Sequence, residues 1–290
     1  MRPQAIDYAR RAGWDMPFVV ALGVIGGLYV LLILGMLIAD SSFTSPGHIL
    51  AALQSENIRF AIWLSLISCT ITMVLSLWVA VPTGYLLSRW QRERPEVLPW
   101  LRQLIDAILD IPIVLPPLVI GLSLLILFQT TPGRWLEHQT EHWFGTRITY
   151  AVPSVILAQF SVAAAFAVRT MRVTFDQINP RSEQVALTLG CSRAQAFFLV
   201  LLPEARRGML TAATLAWARS LGEFGPILVF SGATRMRTEV LPTSVFLELS
   251  VGHIEAAVAV SLLMVSCALI VLIIVRVFGS TDSYADGGRA

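Results

Sequence analysis

Long apolar stretches without a charged residue recur along most of this chain. A helix needs about 20 residues to cross the hydrocarbon region of a bilayer, and five stretches reach that length. They are Pro17–Ala39, Ala61–Ser88, Ile111–Thr131, Ile148–Val168 and Ala256–Val275. The pattern therefore predicts five membrane-spanning helices.

A sixth stretch of suitable length, Met209–Gly232, carries Arg219 and Glu223. The first stretch could instead be a signal peptide, but its apolar core is too long and Leu37-Ile38-Ala39 is a poor cleavage site, so we interpret it as a retained anchor. We expect an all-α integral membrane protein with six transmembrane helices. One membrane domain covers 17–279, with a segment 1–16 before it and a tail 280–290 after it.

The composition supports a membrane protein and excludes several kinds of site. Hydrophobic residues make up 56% of the 290 residues and charged residues 14%, whereas soluble domains carry about 25% charged residues. All 21 basic residues are arginine, which excludes a P-loop, a Schiff base or a Ser-Lys pair. The three cysteines suggest neither a disulfide framework nor a zinc site. A net charge of +2 spread over short loops predicts no nucleic-acid partner.

The arginines also predict the orientation, because short cytoplasmic loops collect basic residues. With the amino terminus inside, 15 of the 21 arginines fall in inner segments, five in outer segments and one within a span. This asymmetry predicts that both termini and the loop 181–208 lie in the cytoplasm.

The loop 181–208 is expected to form a helix-turn-helix between two spans. Ser182 is a plausible N-cap for a short helix over Glu183–Leu189, which Gly190 would end. Ser192 can cap a second helix, and Pro203 is expected to end it. The alternative is an amphipathic helix lying on the lipid headgroups.

The sixth stretch contains ionisable residues, and a charge inside a membrane span costs at least ~2.5–3.5 kcal/mol unless it is paired or wetted. Arg219 and Glu223 stand at i, i+4 and can pair on one helix face. Gly222, Phe224 and Gly225 adjoin them, and the small residues would let another backbone approach. We interpret the group as a gate or pathway element; a purely structural ion pair is the alternative.

Two further features leave alternatives open. Pro112, Pro116 and Pro117 predict either a kinked helix beside a pathway or a broken start of the third span. A short surface helix is expected over Pro132–Arg147, where the pair His138 and His142 could bind a metal if a third ligand were present, although an exposed polar helix explains the pair more simply.

The loop resembles the signature loop of binding-protein-dependent ABC importer permeases, in which an EAA tripeptide is followed by a Gly and a Leu-Pro pair. The matching residues are Glu183, Gln184, Val185, Ala186, Gly190, Ser192, Phe198, Leu202 and Pro203. Val185 replaces the usual Ala, and Arg207 stands where a second Pro often precedes Gly208. The resemblance implies a coupling helix that docks into a separate ATPase subunit. The coupling residues it implies are Glu183, Gln184, Ala186, Gly190, Ser192 and Pro203.

A second resemblance narrows the family. The run from Ala218 to Gly225, ARSLGEFG, is similar to the fifth-span motif of molybdate, tungstate and sulfate permeases, and the run from Thr234 to Thr243 is similar to molybdate and tungstate members. This implies an inner-membrane homodimer that receives an oxyanion, with molybdate or tungstate favoured over sulfate or thiosulfate, from an extracytoplasmic binding protein. Two ATPase subunits would hold ATP and Mg²⁺, so neither enzymatic activity nor a cofactor is expected in this chain. The gate residues implied are Arg219, Gly222, Glu223, Phe224 and Gly225.

Two other classes fit the sequence less well. A secondary transporter would carry buried ion or proton ligands in several spans, but ionisable residues occur in one predicted span only. An intramembrane hydrolase needs a base at the depth of its nucleophile, and all four histidines fall in or near outer loops.

Overall fold

The computed structural model describes residues 16–93 and 99–286, and within these ranges the side chains of 16–89, 100 and 103–275. Every regular element in the described ranges is helical. The helices are α1 Met16–Phe43, α2 Pro46–Gln54, α3 Glu56–Glu93, α4 Pro99–Val114, α5 Pro117–Gln129, α6 Thr131–Phe144, α7 Val152–Gln177, α8 Pro180–Thr188, α9 Arg193–Ala196, a π-helical segment Phe197–Leu201, α10 Leu202–Glu204, α11 Arg206–Leu221, α12 Gly225–Phe230, α13 Leu241–Val251 and α14 Ile254–Asp286.

Four helices in the described ranges are long and apolar enough to cross a membrane, and they match four of the predicted spans. These parts of α1, α3, α7 and α14 are Met16–Phe43, Glu56–Arg89, Val152–Gln177 and Ile254–Val275. Helix α1 buries no residue and packs only against α14 among the stronger helix contacts. Its all-round apolar surface is what a helix embedded in lipid requires.

The third predicted span is divided between two helices. Helix α4 contains Ile111–Val114, α5 begins at Pro117, and the two axes meet at 112°. Pro116 and Pro117 lack the N–H groups that would continue the α4 ladder, and a proline ring clashes with the preceding turn. The prolines thus break the predicted third span into two half-helices, which agrees with the predicted broken start of the span, whereas a pathway beside it stays a prediction.

The stretch Met209–Gly232 is also not one continuous helix. Helix α11 ends at Leu221, and α12 begins at Gly225 with Pro226 in its first turn. A proline clashes with the carbonyl four residues earlier, here that of Gly222, so the interruption covers residues 222–224 and contains Glu223. The expected count of six spans stays a prediction, because within residues 16–93 and 99–286 four helices and the bent pair are long and apolar enough to be spans.

Helices α3, α7 and α11 pack together as the centre of the protein. Small residues make the close packing possible, among them Ala163 and Ala167 of α7 and Ala212 and Ala216 of α11, all buried. At Gly84 of α3 an added Cβ would lie 2.8 Å from the backbone nitrogen of Arg172 in α7. The backbones of α3 and α7 therefore approach more closely there than any larger residue would permit.

Two predictions concern the ends of the chain and the outer loop. Helix α14 continues to Asp286, beyond residue 279 where the membrane domain was expected to end. Most of the predicted segment 1–16 and the last four residues of the predicted tail lie outside the described residues. The predicted surface helix is confirmed as α6, with Trp135 and Trp143 exposed.

Candidate functional site

The loop between α7 and α11 begins with α8, which starts earlier than predicted. Its N-cap is Asn179, whose Oδ1 accepts a hydrogen bond from the backbone nitrogen of Arg181 at 3.0 Å. Pro180 occupies the first helical position, where a missing N–H has no cost. The prediction of Ser182 as the cap was therefore wrong, because the Asn-Pro pair three residues before it provides a better helix start.

The turn and the second helix agree with the sequence. Gly190 follows α8 with φ of +93°, a region that residues with a side chain seldom adopt. Ser192 caps α9 through a reciprocal capping box: its Oγ accepts from the nitrogen of Gln195, and its own nitrogen donates to Gln195 Oε1. The roles predicted for Gly190 and Ser192 in forming the turn are thus confirmed.

Pro203 does not end the second helix, contrary to the prediction. The chain passes through the π-helical segment, in which the nitrogen of Leu202 donates to the carbonyl of Phe197, and helical structure continues to Glu204. A wider π-turn accommodates a proline that an α-helical ladder would not. The helix is interrupted instead at Ala205, before α11.

Helix α8 has one face packed on the protein and one face exposed. Glu183 and Ala186 are buried, whereas Gln184, Val185 and Leu189 are exposed, the two apolar side chains by 56% and 78%. Val185 and Leu189 stand at i, i+4 and share a face. An exposed apolar face on a loop helix is typical of a docking surface.

The buried face of α8 is fixed by Glu183. Its Oε1 accepts a hydrogen bond from the Tyr85 hydroxyl at 2.8 Å, and its Oε2 lies 2.7 Å from Nε of Arg89. Both partners lie one turn apart on α3, and the Tyr85 ring also packs against Phe175 and Phe197. The loop is therefore attached to α3 by a desolvated ion pair and an aromatic cluster.

The second candidate site is the interruption between α11 and α12. Glu223 is 1% exposed and its Oε2 lies 2.8 Å from Nη1 of Arg219, whose side chain is 31% exposed. The Arg219 guanidinium also lies 5.7 Å from the ring centre of Phe166 in α7. The predicted pair is confirmed, although the helix is interrupted between its two members.

The two divided spans meet at glycines. An added Cβ at Gly225 would lie 2.9 Å from Cβ of Pro117, and one at Gly121 would lie 2.8 Å from Cα of Pro226. The close approach expected at Gly225 is thus confirmed and involves the start of α5. At Gly222 an added Cβ would meet nothing closer than 3.9 Å within this chain, so the close approach of another backbone at this residue stays a prediction. Phe224 packs against Phe246 of α13.

A buried polar group holds the end of α11. Gln159 of α7 is 2% exposed, and its Nε2 donates to the Ser220 carbonyl at 3.2 Å. Its Oε1 accepts from the Thr72 hydroxyl of α3 at 3.2 Å. Carbonyls in the last turn of a helix need partners outside the helix, and in the membrane interior Gln159 supplies one. This bond joins α3, α7 and α11 at the interruption.

The segment after α12 contains a buried acid in the motif that starts at Thr234. Glu239 is 1% exposed, and its Oε1 accepts from the Ser244 hydroxyl at 2.9 Å. Burial raises the pKa of the Glu239 carboxyl above its usual value, while the Ser244 hydrogen bond and the Arg235 charge act in the opposite direction. The buried Glu239–Ser244 hydrogen bond thus holds this segment against α13.

In the ranges that the structure covers, no group of three or more His, Cys, Asp or Glu residues could hold a metal ion. His138 and His142 lie on α6 as predicted, and His142 packs edge-on against Trp143.

Comparison with known proteins decides the family. Residues 96–281 match the family described as the binding-protein-dependent transport system inner membrane component. The chain belongs to this family. It is therefore a multi-pass inner-membrane permease, and both candidate sites lie within the matched residues apart from the α3 side chains.

Two relatives and one solved structure show how far the similarity extends. The molybdenum transport system permease protein ModB of Mycobacterium tuberculosis is 32% identical over 261 residues, covering 89% of this chain and 93% of that protein. The sulfate transport system permease protein CysT of Escherichia coli is 33% identical over 59% of this chain and 61% of its own length. A bacterial ABC transporter involved in import of the acidic polysaccharide alginate has the same fold, with a TM-score of 0.67, 18% identity, and coverage of 94% of this permease and 98% of that chain.

The residues implied by the resemblance form two groups in the permease, the loop and the interruption between α11 and α12. Tyr85, Arg89, Thr72 and Gln159 contact these groups but were not predicted. A single Gln inside the apolar run Ile148–Val168 was a usable signal, since buried polar groups in membranes require partners. Arg89 carried no such signal, because it looks like an ordinary arginine at the end of a span.

Proposed function

We propose that this permease forms the membrane channel of an ATP-driven importer for a tetrahedral oxyanion, with molybdate or tungstate as the substrate. Two copies of the chain assemble with two ATPase subunits, which hold ATP and Mg²⁺. An extracytoplasmic binding protein delivers the anion. Both termini and the loop 181–208 face the cytoplasm.

The exposed face of α8 is the observation that supports an ATPase partner. Val185 and Leu189 expose apolar surface on a loop helix that does not cross the membrane. Glu183 and Ala186 are buried on the opposite face of the same helix. Burying such surface against a partner is favourable by about 25 cal/mol per Å². An ATPase that receives α8 in a groove accounts for the exposed apolar face and for the fixed orientation of the helix.

The substrate is supported by the relatives. The similarity to ModB covers nearly the whole of both chains, whereas the similarity to CysT covers 61% of that protein. Sulfate, another tetrahedral dianion, is the second candidate. Among the described side chains within the predicted spans, Arg219 is the one cation, and it is paired with Glu223. Weak contacts from hydroxyls and backbone N–H groups therefore suit passage of the anion better than a tight arginine clamp would.

The test is uptake by vesicles that contain the permease with its co-purified ATPase and binding protein. Radiolabelled molybdate should accumulate only with ATP, and unlabelled tungstate should compete more strongly than sulfate. Vesicles that contain the Val185→Glu, Leu189→Glu permease serve as the control for docking and should lose the ATPase on purification. Stronger competition by sulfate would assign the chain to sulfate transport, and absence of ATP-dependent uptake of either anion would refute the oxyanion proposal.

A further inference from the structure

The carboxylate of Glu183 is fully engaged inside the permease. Tyr85 Oη and Arg89 Nε lie 2.8 and 2.7 Å from its two oxygens, and the Arg89 and Glu183 side chains are 8% and 9% exposed. A carboxylate held in this way is not available as a contact for a partner protein. Its function therefore has to be sought on the α3 side of the loop.

The buried ion pair between Glu183 of α8 and Arg89 of α3 can pass a displacement of α8 to α3. An exposed ion pair contributes little and breaks easily, but separating a buried pair leaves two desolvated charges without partners. If α8 moves, α3 is therefore forced to follow. None of the three guanidinium nitrogens of Arg89 has hydrogen-bond geometry to a partner in the described part of the chain, although Nε lies 2.7 Å from Glu183 Oε2, so the two side chains are held together as a close, buried ion pair.

Helix α3 reaches from the loop to the interruption that contains Glu223. Arg89 and Thr72 are separated by 17 residues of one continuous helix, which is about 26 Å at 1.5 Å per residue. Pro82 lies between them, but α3 packs there against α7 through Gly84 with almost no free space. This packing makes α3 and α7 move together despite the proline.

The far end of this path contacts the interruption directly. Thr72 donates to Gln159, and Gln159 donates to the carbonyl of Ser220, three residues before Glu223. All three are buried. A shift of α3 along its axis is therefore passed to the last turn of α11 by hydrogen bonds that have no water to replace them.

We propose that Arg89, together with Tyr85, is a positioning residue for coupling: it passes the displacement of α8 to α3, and α3 passes it through Thr72 and Gln159 to the interruption that holds Glu223. This rests on the proposed function, since it assumes that an ATPase moves α8. It assigns the two sides of α8 different functions, with the exposed side binding the partner and Glu183 transmitting its movement.

The first test compares transport with hydrolysis in purified complexes. Arg89→Gln should retain the co-purified ATPase but lower oxyanion uptake per ATP hydrolysed at least about fivefold, the lower end of usual coupling factors. Exchanging the charges, Arg89→Glu with Glu183→Arg, should restore most of that ratio. Arg169→Gln is the matched control, because Arg169 is 64% exposed and its contact with Asp110 is long, at 4.0 Å. A normal ratio in Arg89→Gln, or loss of the ATPase in proportion to the ratio, overturns the proposal.

A second measurement does not depend on the substrate. With Cys191 and Cys267 replaced by serine, a reporter cysteine at Phe224 is labelled with a thiol reagent, with and without ATP and vanadate. We expect trapping to change the labelling rate at least about fivefold with Tyr85 and Arg89 intact, and to have little effect in Arg89→Gln. If Arg89→Gln folds poorly, Tyr85→Phe, which leaves no charge unpaired, takes its place. It should reduce the effect of trapping on the labelling rate in the same direction but by less. An equal change of labelling rate in all variants refutes the coupling proposal, even if the substrate assignment holds. Failed oxyanion uptake together with an Arg89-dependent change of labelling rate refutes only the substrate assignment.

Discussion

Removal of Arg219 should damage the permease more than removal of Glu223, although the two residues form one ion pair. Glu223 is 1% exposed and Arg219 is 31% exposed, and Nη1 of Arg219 lies 2.8 Å from Oε2 of Glu223. Arg219→Gln leaves a carboxylate without a counter-charge in a buried place. Glu223→Gln leaves a guanidinium that can turn toward more polar surroundings and keeps its contact with the Phe166 ring.

The magnitudes follow from the exposures. Breaking a fully buried pair by removing one partner costs about 3–5 kcal/mol, and we expect Arg219→Gln to approach this range. An exposed pair contributes about 0–1 kcal/mol, so Glu223→Gln should cost an intermediate amount, on the order of 1–2 kcal/mol. Thermal denaturation of the detergent-solubilised permease should therefore show the larger decrease in midpoint for Arg219→Gln. The opposite order would refute this reasoning from burial.

The double variant separates a gate from a structural pair. If the two residues only neutralise each other, Arg219→Gln with Glu223→Gln should recover most of the lost stability and also normal transport. If Glu223 belongs to a gate, the double variant should recover stability but retain low molybdate or tungstate uptake per ATP hydrolysed. Uptake and ATP hydrolysis in vesicles, measured for both single variants and the double variant, decide between these outcomes. Full recovery of transport would rule out the gate.

Three further predictions test the loop, the orientation and the polar contact at the interruption. Gly190→Val should introduce about 1–2 kcal/mol of backbone strain and weaken co-purification of the ATPase. Gly252→Val, at a similar φ of +90° and with equally open space, should leave co-purification unchanged. Equal retention of the ATPase by both variants would contradict the coupling assignment. A cysteine at Gln91 should be shielded from impermeant thiol reagents in intact cells and one at Gln139 labelled; reversed labelling would overturn the orientation. Gln159→Leu removes the side-chain donor of the Ser220 carbonyl, which keeps the backbone N–H of Glu223, so thermal denaturation should show a loss of about 0.5–1.5 kcal/mol. Unchanged stability would show that this hydrogen bond is dispensable.

The apolar pattern located the spans well because burial in lipid acts on every residue of a helix. Four continuous helices agree with it, including their order along the chain. The interruptions were only partly visible. Pro116 and Pro117 lie directly at the bend that they cause, whereas Pro226 acts four residues earlier, at Gly222. A proline in a sequence therefore marks an interruption with an offset, and the position of Glu223 just after the end of α11 became clear only from the structure.

Capping was predictable where the local sequence offered one solution. Ser192 and Gln195 form the reciprocal pair that their spacing suggests. At α8 two candidates competed, and Asn179 prevailed over Ser182 because Pro180 fixes the backbone of the first turn. The π-helical segment had no comparable signal, since a π-turn depends on what the neighbouring helices allow around Pro203.

The least predictable feature is the one on which the coupling proposal depends. Counting arginines treats every arginine near the end of a span alike, and Arg89 contributes to that count as an ordinary interfacial cation. Its 7% exposure arises because α8 folds back onto α3 and brings Glu183 within 2.7 Å of it. Charge counts can therefore locate the loop on one side of the membrane, but the identity of the buried arginine depends on packing between segments almost one hundred residues apart. The same packing exposes Val185 and Leu189 on the other side of α8, so the residue that transmits and the residues that dock are fixed by a single orientation of one short helix.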